Sequence, residues 1–174
     1  TKDYCYANAS LGAAIINAEI TGNWSYATSC IDSVVNANQN QYYVMNSWGS
    51  ARHNTLMQTC ALVVSHHKDE SGKDYSEWAQ KQMNYILGDN NANVCLVVGW
   101  NDVSATSPHH RAASNLTNSS DWHEYNSWDG DYASSGGHIL YGALCGGPTS
   151  SDFTTYQKTA KDATSNEVAL DYQV

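Results

Sequence analysis

The chain has 174 residues, enough for one domain with a core of its own. It carries 8 Lys+Arg against 17 Asp+Glu, a formal net charge of −9, and this balance repels phosphate backbones and argues against general nucleic-acid binding. No apolar run reaches membrane-spanning length and no basic-then-apolar leader opens the chain; its first residues, TKDYCYANASLGAAII, already have a helical pattern, so the chain is expected to begin inside an element.

In chain order the pattern predicts helices. Leu11, Ala14, Ile15 and Ala18 repeat at helical spacing within residues 4–20. TGNWSYATSCIDSVVNA follows, with Trp24, Ala27, Ile31 and Val34 on one face. Ser50 is placed to cap a third helix striped by Leu56, Cys60 and Val63. A fourth covers DYSEWAQKQMNYILG, with Tyr75, Ala79, Gln82, Met83 and Ile86 on one side and Gly88 as its stop. A long irregular region, residues 89–135, comes next; it is rich in Asn, Ser, Asp, Gly and Trp, and a loop of that length in a compact domain is usually functional. GHILYGAL is expected to be a fifth helix, ended by Gly146, Gly147 and Pro148, and a sixth is expected from near Ser165 to Val174.

The aromatic residues are skewed, with 12 Tyr and 6 Trp against 1 Phe. Tyr and Trp combine an apolar face with a polar handle, which suits surfaces for polar, flat-faced ligands such as sugars. The five cysteines, Cys5, Cys30, Cys60, Cys95 and Cys145, form no C-x-x-C pair, and buried free thiols are expected rather than a zinc knuckle or a complete disulfide framework. Sequons at Asn8, Asn23, Asn115 and Asn118 are glycosylation acceptors only if the protein is a eukaryotic secreted one.

SPHHRAAS, residues 107–114, concentrates cations in an acidic chain and lies within the long irregular region. His109 and His110 are adjacent, so they do not readily address one metal ion, although His123, Glu124, Asp129 and Asp131 follow. No G-x-S-x-G turn accompanies them. On local grounds the stretch reads as a loop tied down by hydrogen bonds.

The order of segments adds a different reading. SWGSARHN, MNYILGDN, SPHHRAAS, GHILYGALCGGP and NEVALDY follow one another, and together they resemble the C-terminal part of family 9 glycoside hydrolases, cellulases built as an all-α (α/α)6 barrel. The resemblance runs over residues 1–174 as the C-terminal portion of a single catalytic domain, roughly half of a barrel. It implies an inverting endo-acting hydrolase of β-1,4-glucan, secreted, in which two carboxyl groups about 6.5–9.5 Å apart flank the scissile bond. The glutamate of the family's N-E-V-A stretch, the general acid, is Glu167 here. The P-H-x-R histidine and arginine become His109 and Arg111 at the sugar, the W-G-S-x-R residues become Trp48 and Arg52 lining the cleft, and Tyr172 matches the tyrosine after the acid.

The family's D-A-G-D motif, which supplies the base, does not occur in these residues. The resemblance therefore implies that the N-terminal half of the barrel is a partner carrying the base, and that the isolated chain is inactive. It implies no required cofactor; a structural calcium belongs to the family's habits, but no ligand set is placed. Lys158, Ala163, Gln173 and Asn101 stand where the family has an aspartate, an aromatic, an asparagine and a glycine. A cation at Lys158 beside Glu167 would oppose the raised pKa that a general acid needs. These departures motivate the alternative, a non-catalytic glucan-binding relative. Locally, Thr164-x-x-Glu167 also fits a capping box that opens the last helix.

Overall fold

A computed structural model describes residues 4, 5, 8–106, 108–115, 132 and 136–172. Helices α1 (Ser10–Thr21), α2 (Ser25–Ala37), α3 (Ser50–His66), α4 (Lys68–Ser71) and α5 (Ser76–Leu87) come first, and a one-turn α6 (Ala163–Asn166) lies near the C-terminal end, between 3-10 turns at Phe153–Thr155 and Leu170–Tyr172. No strand forms among the described residues; extended backbone meets only at isolated bridges.

α1 starts later than the apolar pattern suggests. Asn8 and Cys5 exchange both main-chain hydrogen bonds at 3.0 Å, and the Asn8 side chain accepts from Ser10 N. This local Asx pairing competes with the helix and sets its first residue at Ser10. Gly22, at φ 73°, ends α1 with its N–H on Ala18 O. Leu11, Ile15 and Ala18 of α1 then pack with Trp24, Ala27, Ile31 and Val34 at α2, and with Met57, Cys60, Ala61 and Val64 of α3.

α3 is the central element, in contact with α1, α2, α5 and the Leu170–Tyr172 turn. It is buried nearly all round, and its polar residues Asn54, Thr55, Gln58 and Ser65 are buried with hydrogen-bond partners. Asn54 Nδ2 donates to Gln82 Oε1 at 2.8 Å and to Tyr43 O at 3.0 Å, while Gln58 Nε2 donates to Asn54 Oδ1. Gln82 Oε1 also accepts from Tyr43 N, and its Nε2 donates to Gln41 O. This amide network fastens the segment 41–43 between α3 and α5, so the chain enters residues 46–49 from a fixed point. All five cysteines are free thiols and buried.

Two predicted helices do not form as expected. GHILYGAL is extended: Val98 N donates to Ala143 O, Gly142 N to Val98 O and Cys145 N to Leu96 O, so residues 96–98 and 142–145 face each other as a short antiparallel ribbon. Gly142 at φ 82° turns the chain left-handed, and the Tyr141 ring lies so close to Gly99 that an added Cβ would stand 2.3 Å from it. The Ile139/Ala143 spacing that looks helical instead sends both residues to a small cluster with Val98, Ala105 and Cys145. The last helix shrinks to α6. Asp162 caps it by accepting from Ser165 N, and Glu167 leaves it in an extended conformation, φ −56° and ψ 146°. Glu167 thus follows the helix end rather than opening a helix, and the capping box does not form.

Candidate active site

The site is assembled where the N-terminal end of α3, the segment 108–111 and the chain after α6 meet. Gly49, at φ 64°, precedes α3 and donates its N–H to Thr164 O, while Ala51 N donates to Gly146 O and Gly147 N to Ser165 O. A Cβ on Gly146 would stand 3.0 Å from Thr164 O, and Gly147 has φ 87°, so the Gly-Gly pair is what lets the ribbon cross between α3 and α6. Gly49 leaves the same kind of space for Tyr172, whose hydroxyl would be 2.5 Å from an added Cβ.

On this frame the Trp48 Nε1–H donates to Glu167 Oε2 at 2.8 Å. Trp48 is 49% exposed, so its Nε1–H holds the Glu167 carboxyl group while about half of the residue stays open to a ligand. Arg52, one helical turn beyond Trp48, places its guanidinium carbon 5.0 Å from the centre of the buried Tyr172 ring and donates to Trp48 O. Thr55 Oγ1 donates to Tyr172 O.

His109 pairs with Glu167 as an isolated parallel bridge, its N–H donating to Asn166 O at 2.7 Å. Its ring Nδ1 lies 2.5 Å from Ala160 O, and because a carbonyl only accepts, Nδ1 is the donor. His110 has the opposite tautomer, since its Nδ1 accepts from Ala113 N. It turns away and lines a shallow cavity of about 220 Å³ with Leu140, Ala143, Val168, Ala169 and Leu170. Arg111 is exposed on the adjoining turn. Trp48, Arg52, His109, Glu167 and Tyr172 are therefore brought together, with Arg111 two residues from His109.

The Lys158 ammonium donates to Val103 O and forms no ion pair with Glu167. Asn101 is used locally, accepting from Val103 N and donating to Leu87 O. Among the described residues no set of three His, Cys, Asp or Glu side chains is gathered to hold a metal ion, so no ligand set for calcium can be assigned from them. His123, Glu124, Asp129, Asp131 and Gln173 lie outside the described residues. No described helix is long and apolar enough to cross a membrane.

Asn166, Tyr156 and Asp162 escape sequence reasoning. Asn166 is fully buried, and the Tyr156 hydroxyl donates to its Oδ1 at 2.7 Å. Burial drives the Tyr156 phenol well above its ordinary range and, beside it, pushes the Cys145 thiol up to about 12. The asparagine preceding the N-E-V-A glutamate is the one available signal, and it carries no chemistry by itself.

The family model described as "Glycosyl hydrolase family 9" matches residues 3–174. Endoglucanase B of Cellulomonas fimi is 35% identical over 133 residues, covering 74% of this chain and 12% of its own length. Among solved structures, the catalytic domain of Clostridium thermocellum CelT superposes with a TM-score of 0.81 at 30% identity, over 98% of this chain and 38% of that one. The endoglucanase CelQ from Clostridium thermocellum, complexed with cellobiose and cellotriose, gives a TM-score of 0.76 at 28% identity over 98% of this chain and 29% of its own. The helices described above are thus part of an (α/α)6 barrel, and the chain spans less than two fifths of each of these relatives.

Proposed function

Because this chain belongs to glycosyl hydrolase family 9, we propose that residues 1–174 are the C-terminal part of a single catalytic domain that hydrolyses β-1,4-glucosidic bonds in cellulose or related β-glucans. The observation that carries the reading is the Trp48–Glu167 hydrogen bond, which fixes a half-buried carboxyl group beside a half-open indole face. Glu167 is the general acid. Trp48 occupies one of its oxygens, and the other carries the proton to the glycosidic oxygen. The base is an aspartate outside these residues, placed across the scissile bond so that water attacks the opposite face and the anomeric centre inverts. Trp48 stacks on a pyranose ring; His109, Arg111, Arg52 and Tyr172 hold sugar hydroxyls and orient the cleft.

The partner is the rest of the barrel. Ile16 and Ile20 of α1 and Leu62 of α3 are exposed at 58%, 79% and 47%, and an apolar helix face of that kind calls for cover. A cellulase of this type acts outside the cell on insoluble polymer, so the protein is secreted. The substitution Glu167→Gln in the complete catalytic domain is expected to abolish sugar release while sparing cello-oligosaccharide binding. Retention of most activity overturns the assignment. The competing reading is a non-catalytic glucan-binding relative, motivated by Lys158, Ala163, Gln173 and the missing base; the Lys158 bond to Val103 O weighs against the first of these. Hydrolysis by the complete domain excludes it.

A further inference from the structure

We propose that Tyr156 and Asn166 are positioning residues that set where Glu167 and His109 stand, an inference that rests on the proposed function. Glu167 follows a helix of only one turn and continues in extended backbone, so α6 alone holds it weakly. What anchors it is the residue before it.

Asn166 uses every hydrogen-bonding group it has. Its Nδ2 donates to Gln157 O at 2.8 Å and to Asp162 O at 3.2 Å, and its Oδ1 accepts from the Tyr156 hydroxyl. Its main-chain N–H donates to Asp162 O at 2.9 Å, and its carbonyl accepts from His109 N. The carboxamide orientation is unambiguous, because its nitrogen faces two carbonyls while its oxygen faces a hydroxyl. The side chain therefore ties α6 to the segment 156–162, and the main chain ties both to His109. Ala160, within that segment, also takes the His109 ring through Nδ1. The general acid and the sugar-contacting histidine are thus referred to one buried amide, and among the described residues the phenol is the only side chain bonded to its Oδ1. Tyr156 is itself pinned in the core, 7% exposed, among Tyr42, Leu96 and Phe153.

The test uses the complete catalytic domain, assayed on a soluble β-1,4-glucan well below the melting temperature of each variant. Tyr156→Phe removes one hydroxyl and keeps the ring. The expected result is a fall in kcat of about ten-fold or more with KM within about two-fold, since small misplacements of catalytic groups are costly in rate. The alkaline limb of the kcat–pH profile, which reports the general acid, also moves. A purely structural role lowers the melting temperature and leaves both readouts unchanged; that outcome overturns the inference. Should Tyr156→Phe fail to fold, Asn166→Asp, which keeps the oxygen and removes the two Nδ2 donations, is read in the same way. Glu167→Gln separates the two levels of failure. If that variant stays active, the proposed function itself is wrong. If it is inactive while Tyr156→Phe turns over at the parent rate, only the positioning role is lost.

Discussion

Gln82 gives the sharpest prediction about how the scaffold is held. It is 0% exposed, and Gln82→Leu substitutes an apolar side chain of similar length. The change takes the partner from Tyr43 N–H, held at 2.9 Å, from one N–H of Asn54, held at 2.8 Å, and from Gln41 O, held at 3.0 Å. A buried group left unpaired costs about 1–3 kcal/mol. Two such donors therefore cost about 2–6 kcal/mol, offset by about 1–2 kcal/mol from burying leucine. The ends of those ranges bracket a net loss of about 0–5 kcal/mol and their midpoints give about 2.5 kcal/mol, which is the expected value, measured by urea denaturation followed through tryptophan fluorescence. Gln80→Leu on the exposed side of α5, where the glutamine bonds only to Asn84, is the control and is expected to stay within about 0.5 kcal/mol of the parent. A loss below about 1 kcal/mol for Gln82→Leu would refute the reasoning, because the segment 41–43 would then be held by something other than this network.

Three further outcomes follow from the site and core. Trp48→Phe keeps an aromatic face and removes the donor to Glu167; a hydrogen bond to a charged group is worth about 1.5–3 kcal/mol, so kcat in the complete domain should fall about ten- to a hundred-fold with little change in KM. Gly49→Ala places a Cβ 2.5 Å from the Tyr172 hydroxyl at a position with φ 64°, so the melting temperature should drop and KM should rise together. The left-handed conformation alone costs about 1–2 kcal/mol for a residue with a side chain. Cys145 is pushed up from 9.0 to about 12, and Tyr42, Tyr75 and Tyr156 are raised from 10.0, all led by burial. The unfolded chain ionises these groups first, so their stabilising contribution is intact below pH 9 and is lost as pH rises toward 12. Chemical denaturation across that range should show the decline; flat stability would contradict it.

The parts of the fold that were legible are those decided by a repeating apolar face. α1, α2, α3 and α5 each carry one, and α1 and α5 end at Gly22 and Gly88, where glycine takes a positive φ without penalty. α3 was legible as an element but not as the centre, since its buried faces include Asn54, Gln58 and Ser65, which look like surface until their partners are known. The ribbon at 142–145 was misread for the converse reason. Ile139 and Ala143 have helical spacing, but two left-handed glycines and a tyrosine lying on Gly99 decide the backbone, and those are tertiary facts.

The grouping of Trp48, Arg52, His109, Glu167 and Tyr172 is suggested by resemblance and largely illegible by local rules, and Glu167 shows why. A threonine three residues before a glutamate satisfies the local grammar of a helix start, whereas Asp162, not Thr164, is the residue that caps. The helix it opens closes after one turn, because Asn166 is drawn into bonds with Tyr156 and Gln157 and its carbonyl is taken by His109. Glu167 is then free to adopt extended backbone and to reach Trp48, 119 positions away in sequence. The same long-range geometry engages Lys158: nine positions from Glu167 in sequence, its ammonium donates to Val103 O on a different segment. Sequence distance is a poor guide to electrostatic distance wherever the backbone is neither helix nor strand. A carboxyl group whose role depends on its neighbours is therefore identified by the groups that hold it, and in this chain those are Trp48, Asn166 and His109.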